Sequence, residues 1–186
     1  MSPAALPVPD PHQVEADVRR ALAEDRGGGD VTAALLPDVP ERAYLLCKQD
    51  AVIAGRPWFD ACHRALDPDV IIDWQVNEGD HVRAGTVLAL LRGRSRALVS
   101  AERTGLNFLQ TLSATAPATA RHVAAVEGTG TRILDTRKTL PGLRLAQKYA
   151  VLAGGGHNHR IGLDDTVVLK ENHIRLASSV GAALPA

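Results

Sequence analysis

The chain has 186 residues, 45% hydrophobic and 23% charged, which excludes a disordered or fibrous protein. Its 21 basic and 21 acidic residues cancel, so no global charge excess points to nucleic acid or an anionic membrane. Two cysteines, Cys47 and Cys62, are too few for a secreted disulfide scaffold, and no stretch approaches the roughly 18 apolar residues of a membrane span.

The N-terminal MSPAALPVPDPHQ has neither the basic nor the apolar region of a signal peptide, so the expected location is the cytoplasm. Asp10-Pro11-His12-Gln13 reads as a helix start, followed by Val14, Val18 and Leu22 at helical spacing and stopped by Gly27-Gly28-Gly29. Residues 42–54 read as one or two short strands, and residues 56–66 as a helix with Phe59, Cys62, His63 and Leu66 on one side. Val70, Ile72, Trp74 and Val76 alternate as in a half-buried strand. Glu78-Gly79-Asp80 and Ala84-Gly85 signal turns, and TVLALLRG and RSRALVS read as strand-like. Residues 101–126 return to helical spacing, with Leu106, Leu109 and Leu112 as core candidates, and Pro117 is expected to divide or kink that run.

From residue 132 the pattern changes. Ile133-Leu134 and Val167-Val168-Leu169 are short apolar runs, and between them LRLAQKYAVLA is helical and closed by Gly154-Gly155-Gly156. Strand, helix, strand predicts a βαβ unit with parallel pairing. RLASSVGAALPA then reads as the start of a second crossover helix.

Charge is distributed unevenly along this order. Residues 1–50 hold nine acids and five bases, whereas residues 132–186 hold four acids and eight bases. Of the 21 cations only Lys48, Lys138, Lys148 and Lys170 are lysines. The first apolar run leads into Asp135-Thr136-Arg137-Lys138-Thr139, and the second into Lys170-Glu171-Asn172-His173. Ligands of α/β folds bind at the carboxyl ends of strands. Guanidinium forks suit carboxylates and ammonium groups suit phosphate, so this rim predicts a polyanionic substrate. The plain alternative is a solvated loop of charges. His157, His159 and His173 match no zinc spacing, and no metal ligand is assigned. His159, beside Arg160, reads as a substrate-contacting donor. The two glycine triplets read as helix ends rather than phosphate cradles, because each follows a helical run.

The segments DTRKTLPGLR (135–144), QKYAV (147–151), GGGHNHRIGL (154–163) and LKENHI (169–174) closely resemble the quinolinate phosphoribosyltransferase family, also called nicotinate-nucleotide pyrophosphorylase (carboxylating). AEDRGGGDVT (23–32) and AERTGLNFL (101–109) resemble it too, and the likeness runs in order over most of residues 14–176. The resemblance implies an α/β fold with an N-terminal α/β sandwich over residues 1–115. The first strands and helices of an incomplete TIM-like α/β barrel then occupy residues 116–186. It implies conversion of quinolinate and phosphoribosyl pyrophosphate to nicotinate mononucleotide, carbon dioxide and pyrophosphate, in NAD biosynthesis, with Mg2+ on the pyrophosphate. It implies a homodimer in which Arg103 enters the partner's site. Arg137, Arg160 and Lys170, with His159, match the positions that hold the two carboxylates, and Lys138 and Thr139 match positions lining the same pocket. No nucleophilic serine or cysteine is required, and no catalytic residue is assigned.

Ala114-Thr115-Ala116-Pro117 departs from the family's small glycine-containing stretch, and His157 falls where the family varies. The chain also ends before the later barrel strands, which would bring the carboxylates for magnesium and ribose. It is therefore expected to be a fragment with little activity alone. Two alternatives differ in class. One is a related pyrophosphorylase-like enzyme for another anionic substrate. The other is a biotinyl or lipoyl carrier-like module, suggested by VNEGDHVRAG (76–85) but lacking any lysine between Lys48 and Lys138.

Overall fold

A computed structural model describes residues 6–183. Residues 1–5, part of the segment read as lacking a signal peptide, and residues 184–186, the end of the last predicted helix, lie outside the described residues. The elements run α1 (Pro11–Arg26), a 3-10 turn (Ala33–Leu35), β1 (Pro40–Leu46), β2 (Ala51–Val52), α2 (Arg56–Leu66), β3 (Ile71–Trp74), β4 (His81–Val82), β5 (Val87–Arg94), α3 (Ser95–Ala125), α4 (Arg144–Ala153), α5 (Glu171–Ala177) and α6 (Val180–Ala183).

The local signals explain most of these. The Asp10 carboxylate accepts the His12 amide at 3.0 Å, and Pro11 sits in the first turn of α1, where its missing N–H has no helical partner to lose. Val14, Val18 and Leu22 are buried along one stripe. β1, β5 and β3 form an antiparallel sheet in the order β1-β5-β3, and β2 pairs with β4. α2 and α3 cover the inner face. One core lies between sheet and helices around Ile53, Phe59, Leu88, Leu91 and Leu109. A second joins α1, α2, α3 and α4 around Val18, Trp58, Leu112, Ala116 and Tyr149. α4 is thus packed into the same helical layer as α1, through its buried Ala146, Tyr149 and Ala150.

Three expectations are corrected. RSRALVS is not a strand after Arg94. It opens α3, because Leu98, Ala101, Gly105, Leu109 and Leu112 form one buried stripe at helical spacing. β5 ends where the Asp67 carboxylate accepts the Arg94 amide at 2.8 Å. Pro117 does not divide the run, and α3 continues through it to Ala125. An interior proline costs about 3 kcal/mol. Here Ala116, beside it, is fully buried in the four-helix core, and Gly154 lies directly against its carbonyl. Packing on both sides of the proline offsets the lost bond.

The third correction concerns the βαβ unit. Leu134 pairs in parallel, but with His157 rather than with Val167–Leu169, which form no strand. The His157 amide donates to Ile133 O at 2.9 Å, and the Asp135 amide donates to His157 O at 3.0 Å. The glycine triplet is the reason. Gly155, at φ 82°, reverses the chain straight after α4. A Cβ on Gly154 would stand 2.4 Å from Ala116 O, and one on Gly156 2.7 Å from Thr119 Cγ2. Only glycine lets the returning chain pass this close to α3. The second helix also starts earlier than expected, at Glu171, and ends at Ala177, with Ser178 as its C-cap before the short α6.

Glu78 gives the fold a pH dependence. It accepts the Gly55 amide at 3.0 Å and the Arg56 amide at 2.5 Å at the start of α2. Burial nevertheless pushes its carboxyl up to about 7, against the pull of those amides and of Arg56. The unfolded chain releases this proton near the ordinary 4.5 and the folded chain only near 7, so this group's contribution to stability falls as pH rises between those values. Partial exposure screens the effect to about 2 kcal/mol. Urea denaturation at about pH 5 and about pH 7.5 is expected to show that Glu78→Gln has lost part of the wild-type decline. An identical decline in both proteins would remove Glu78 as its source.

Candidate substrate-binding site

The parallel bridge between Leu134 and His157 sets two chain segments side by side at their carboxyl ends. Residues 135–142 leave one and residues 158–161 leave the other. This brings Arg137, Lys138 and Thr139 onto one rim with His159 and Arg160. Lys138 and His159 are exposed, and Arg137, Thr139 and Arg160 are half-buried.

Each is held in a particular way. The Thr136 hydroxyl accepts the Lys138 amide at 3.0 Å and shapes the turn after Asp135. Thr139 Oγ1 accepts from Arg144 Nε at 3.3 Å. Arg160 Nη1 donates to Thr166 O at 3.0 Å, which braces its guanidinium against the loop leading to α5. Arg137 differs: its Nε is buried and has no hydrogen-bond partner among the described residues. A buried donor without a protein acceptor is a cost unless solvent or a ligand supplies one.

Lys170 and Arg103 are positioned by other elements. Lys170 is exposed at the N-cap of α5, and its amide donates to His173 Nδ1 at 3.0 Å. Arg103 is exposed on α3, next to Thr104, whose hydroxyl donates to Asp25 Oδ2 at 3.1 Å. Neither lies on the two bridged segments that carry Arg137 and Arg160. No group of three or more His, Cys, Asp or Glu among the described residues is arranged to hold a metal ion.

Sequence reasoning missed the polar residues behind the rim. Lys148 Nζ lies 2.5 Å from Asp135 Oδ1, and both side chains are buried. Gln147 Oε1 accepts the Leu140 amide at 2.7 Å, and Arg144 Nη1 donates to Ile161 O at 3.1 Å. On α1, Arg20 Nη2 donates to Gly142 O at 3.2 Å and also to the buried Asp17, which accepts from Trp58 Nε1 at 3.1 Å. The signal available was a lysine in the middle of the helical segment LRLAQKYAVLA, in a chain that seldom uses lysine.

The arrangement places planar and compact cations on two chain segments joined by a parallel bridge. A model of the quinolinate phosphoribosyl transferase N-terminal domain matches residues 30–113, and one of the C-terminal domain matches residues 115–186. The chain belongs to the quinolinate phosphoribosyltransferase family. It is 43% identical to quinolinate phosphoribosyltransferase [decarboxylating] 2b, mitochondrial, of Nicotiana tabacum, over 99% of this chain and 52% of the relative. It is 42% identical to a probable nicotinate-nucleotide pyrophosphorylase [carboxylating] of Synechocystis, over 88% of this chain and 56% of the relative. The nicotinate-nucleotide pyrophosphorylase structure from Francisella tularensis superposes with a TM-score of 0.91 at 42% identity, covering 96% of this chain and 63% of that one. The chain therefore spans about half the length of the curated relatives it matches. No described helix is long and apolar enough to cross a membrane.

Proposed function

We propose that this chain serves the quinolinate phosphoribosyltransferase reaction and that its rim binds the two carboxylates of quinolinate. The observation that supports this most directly is the buried Nε of Arg137, from which no described protein group accepts a hydrogen bond, on a segment bridged to the one that carries Arg160. Quinolinate carries neighbouring carboxylates, which two guanidinium forks can clamp while fixing where the ring nitrogen faces. His159, Lys138, Thr139 and Lys170 complete the set. Departure of pyrophosphate leaves a cationic sugar that the ring nitrogen attacks, a step served by positioning and electrostatics rather than by a protein nucleophile. Magnesium enters this reading on the phosphoribosyl pyrophosphate, as part of the substrate.

The reading includes pairing of two copies, with Arg103 of each reaching the other's rim. Support comes from its exposure on α3 and from the exposed apolar side chains Tyr44, Ile71 and Leu90 on the outer face of the sheet. The buried, unpaired Cys47 and Cys62 suit a reducing compartment such as the cytoplasm.

Titration calorimetry with quinolinate tests the proposal. The 186-residue chain is expected to bind quinolinate and to bind nicotinate, which has one carboxylate, at least about tenfold more weakly. Nicotinate mononucleotide formation with phosphoribosyl pyrophosphate and magnesium is expected to be low, since the described residues hold no acidic cluster for the metal. Absence of quinolinate binding overturns the reading, and robust turnover overturns the expectation of low activity.

A further inference from the structure

Arg144 and Lys148, on α4, are cations of the basic C-terminal third that stand behind the rim rather than on it. Lys148 is 2% exposed and the Asp135 side chain 6%. Asp135 Oδ1 accepts from Lys148 Nζ and, at 2.8 Å, from the His159 amide. With its amide oriented to satisfy its neighbours, Asn158 donates to Asp135 Oδ2 at 2.7 Å and to Lys148 O at 3.0 Å. Lys148 Nζ also donates to His159 O at 3.1 Å. The peptide groups on both sides of His159 are therefore gripped, the N–H by the carboxylate and the C=O by the ammonium. One turn back on the same face of α4, Arg144 joins the two rim segments in the same way, from Thr139 Oγ1 to Ile161 O.

We infer that Lys148 and Asp135 are positioning residues for dicarboxylate recognition: the buried pair fixes the backbone of His159 and so sets where His159 and Arg160 stand relative to Arg137. An ion pair is a poor choice for stability alone, because desolvating both charges cancels much of their attraction and apolar side chains could fill the same space. Apolar side chains could not hold both the N–H and the C=O of one residue. Asp135 also belongs to the segment that carries Arg137, so the pair ties the two arginine-bearing segments to each other and to α4. The inference rests on the quinolinate reading for the identity of the ligand.

The test compares the chain with Lys148→Met/Asp135→Leu, which removes both charges together. Calorimetry with quinolinate and with nicotinate reads the ratio of their affinities, which partial unfolding leaves unchanged. That ratio is expected to fall at least about tenfold in the double variant, while its thermal transition stays cooperative. Hydrogen exchange at the His159 amide is expected to quicken while amides of α3 near Leu109 keep their protection. A ratio within about twofold of the unaltered chain overturns the inference and leaves the quinolinate reading standing. Failure of the unaltered chain to bind quinolinate overturns both. If the double variant does not fold, Asn158→Ala decides, because Asn158 is exposed and reaches the same carboxylate. It is expected to lower the ratio at least about threefold, and an unchanged ratio overturns the inference.

Discussion

Lys148→Met alone is expected to lower the free energy of unfolding by about 3–5 kcal/mol, the cost of leaving one buried charge without its partner. Asp135 would keep its His159 amide and Asn158 contacts but lose its counter-charge in a site where its side chain is 6% exposed. Domains of this kind are stable by only about 5–15 kcal/mol in total, so the variant is expected to sit near its folding threshold at physiological temperature. Trp58 reports the change. It is buried in the core that holds α4, with its ring 5.5 Å from that of Tyr149. Its fluorescence during guanidinium denaturation should show an earlier midpoint with little change in slope. The companion Lys148→Met/Asp135→Leu is expected to regain most of the loss, because no unpaired charge remains. A single variant as stable as the wild type would mean that the pair is not formed in solution.

Arg137→Ala and Arg160→Ala are each expected to weaken quinolinate binding about 10- to 100-fold, on the basis of 1.5–3 kcal/mol for a hydrogen bond to a charged group. The two should differ in a second respect. Arg160 is braced on Thr166 O, so its loss also frees the loop before α5. Arg137 Nε has no partner to lose among the described residues, so Arg137→Ala is expected to leave the thermal transition within about 0.5 kcal/mol of wild type. Arg137→Lys is not expected to restore affinity, since a single ammonium cannot reproduce a planar fork. Calorimetry at low and high salt checks the electrostatic origin, because affinity through a solvent-accessible rim falls as ionic strength rises. Wild-type affinity in both alanine variants would remove the rim as the quinolinate site.

Much of this fold is legible in local chemistry. Asp10-Pro11 starts α1, α2 spans the predicted residues 56–66, and the alternation from Val70 falls on β3. These succeed because a cap, a helical stripe and a two-residue period each act within a few residues. The misreadings are also local in form. Leu98 and Val99 look strand-like in a seven-residue window, whereas the stripe that makes them helical extends to Leu112. Val167–Leu169 has the composition of a buried strand, but the place beside Leu134 is already taken by His157. Pro117 signals a break that packing around Ala116 overrides.

The sequence by itself determined where the charge lies and which family motifs carry it. The cations of DTRKT, NHR and LKE can be counted along the chain without coordinates. Only the tertiary structure decided which cations remain available to a ligand. Lys138 and Lys148 are the same residue type ten positions apart, yet one is exposed and the other is enclosed with Asp135 and the His159 peptide groups. That difference arises from a chain reversal at Gly154–Gly156 and the packing of α4 into the helical core. Together they bring residues 135, 148, 158 and 159 to one point. A charge's fate depends on its distance from water and from other charges, and those distances exist only once the chain has folded.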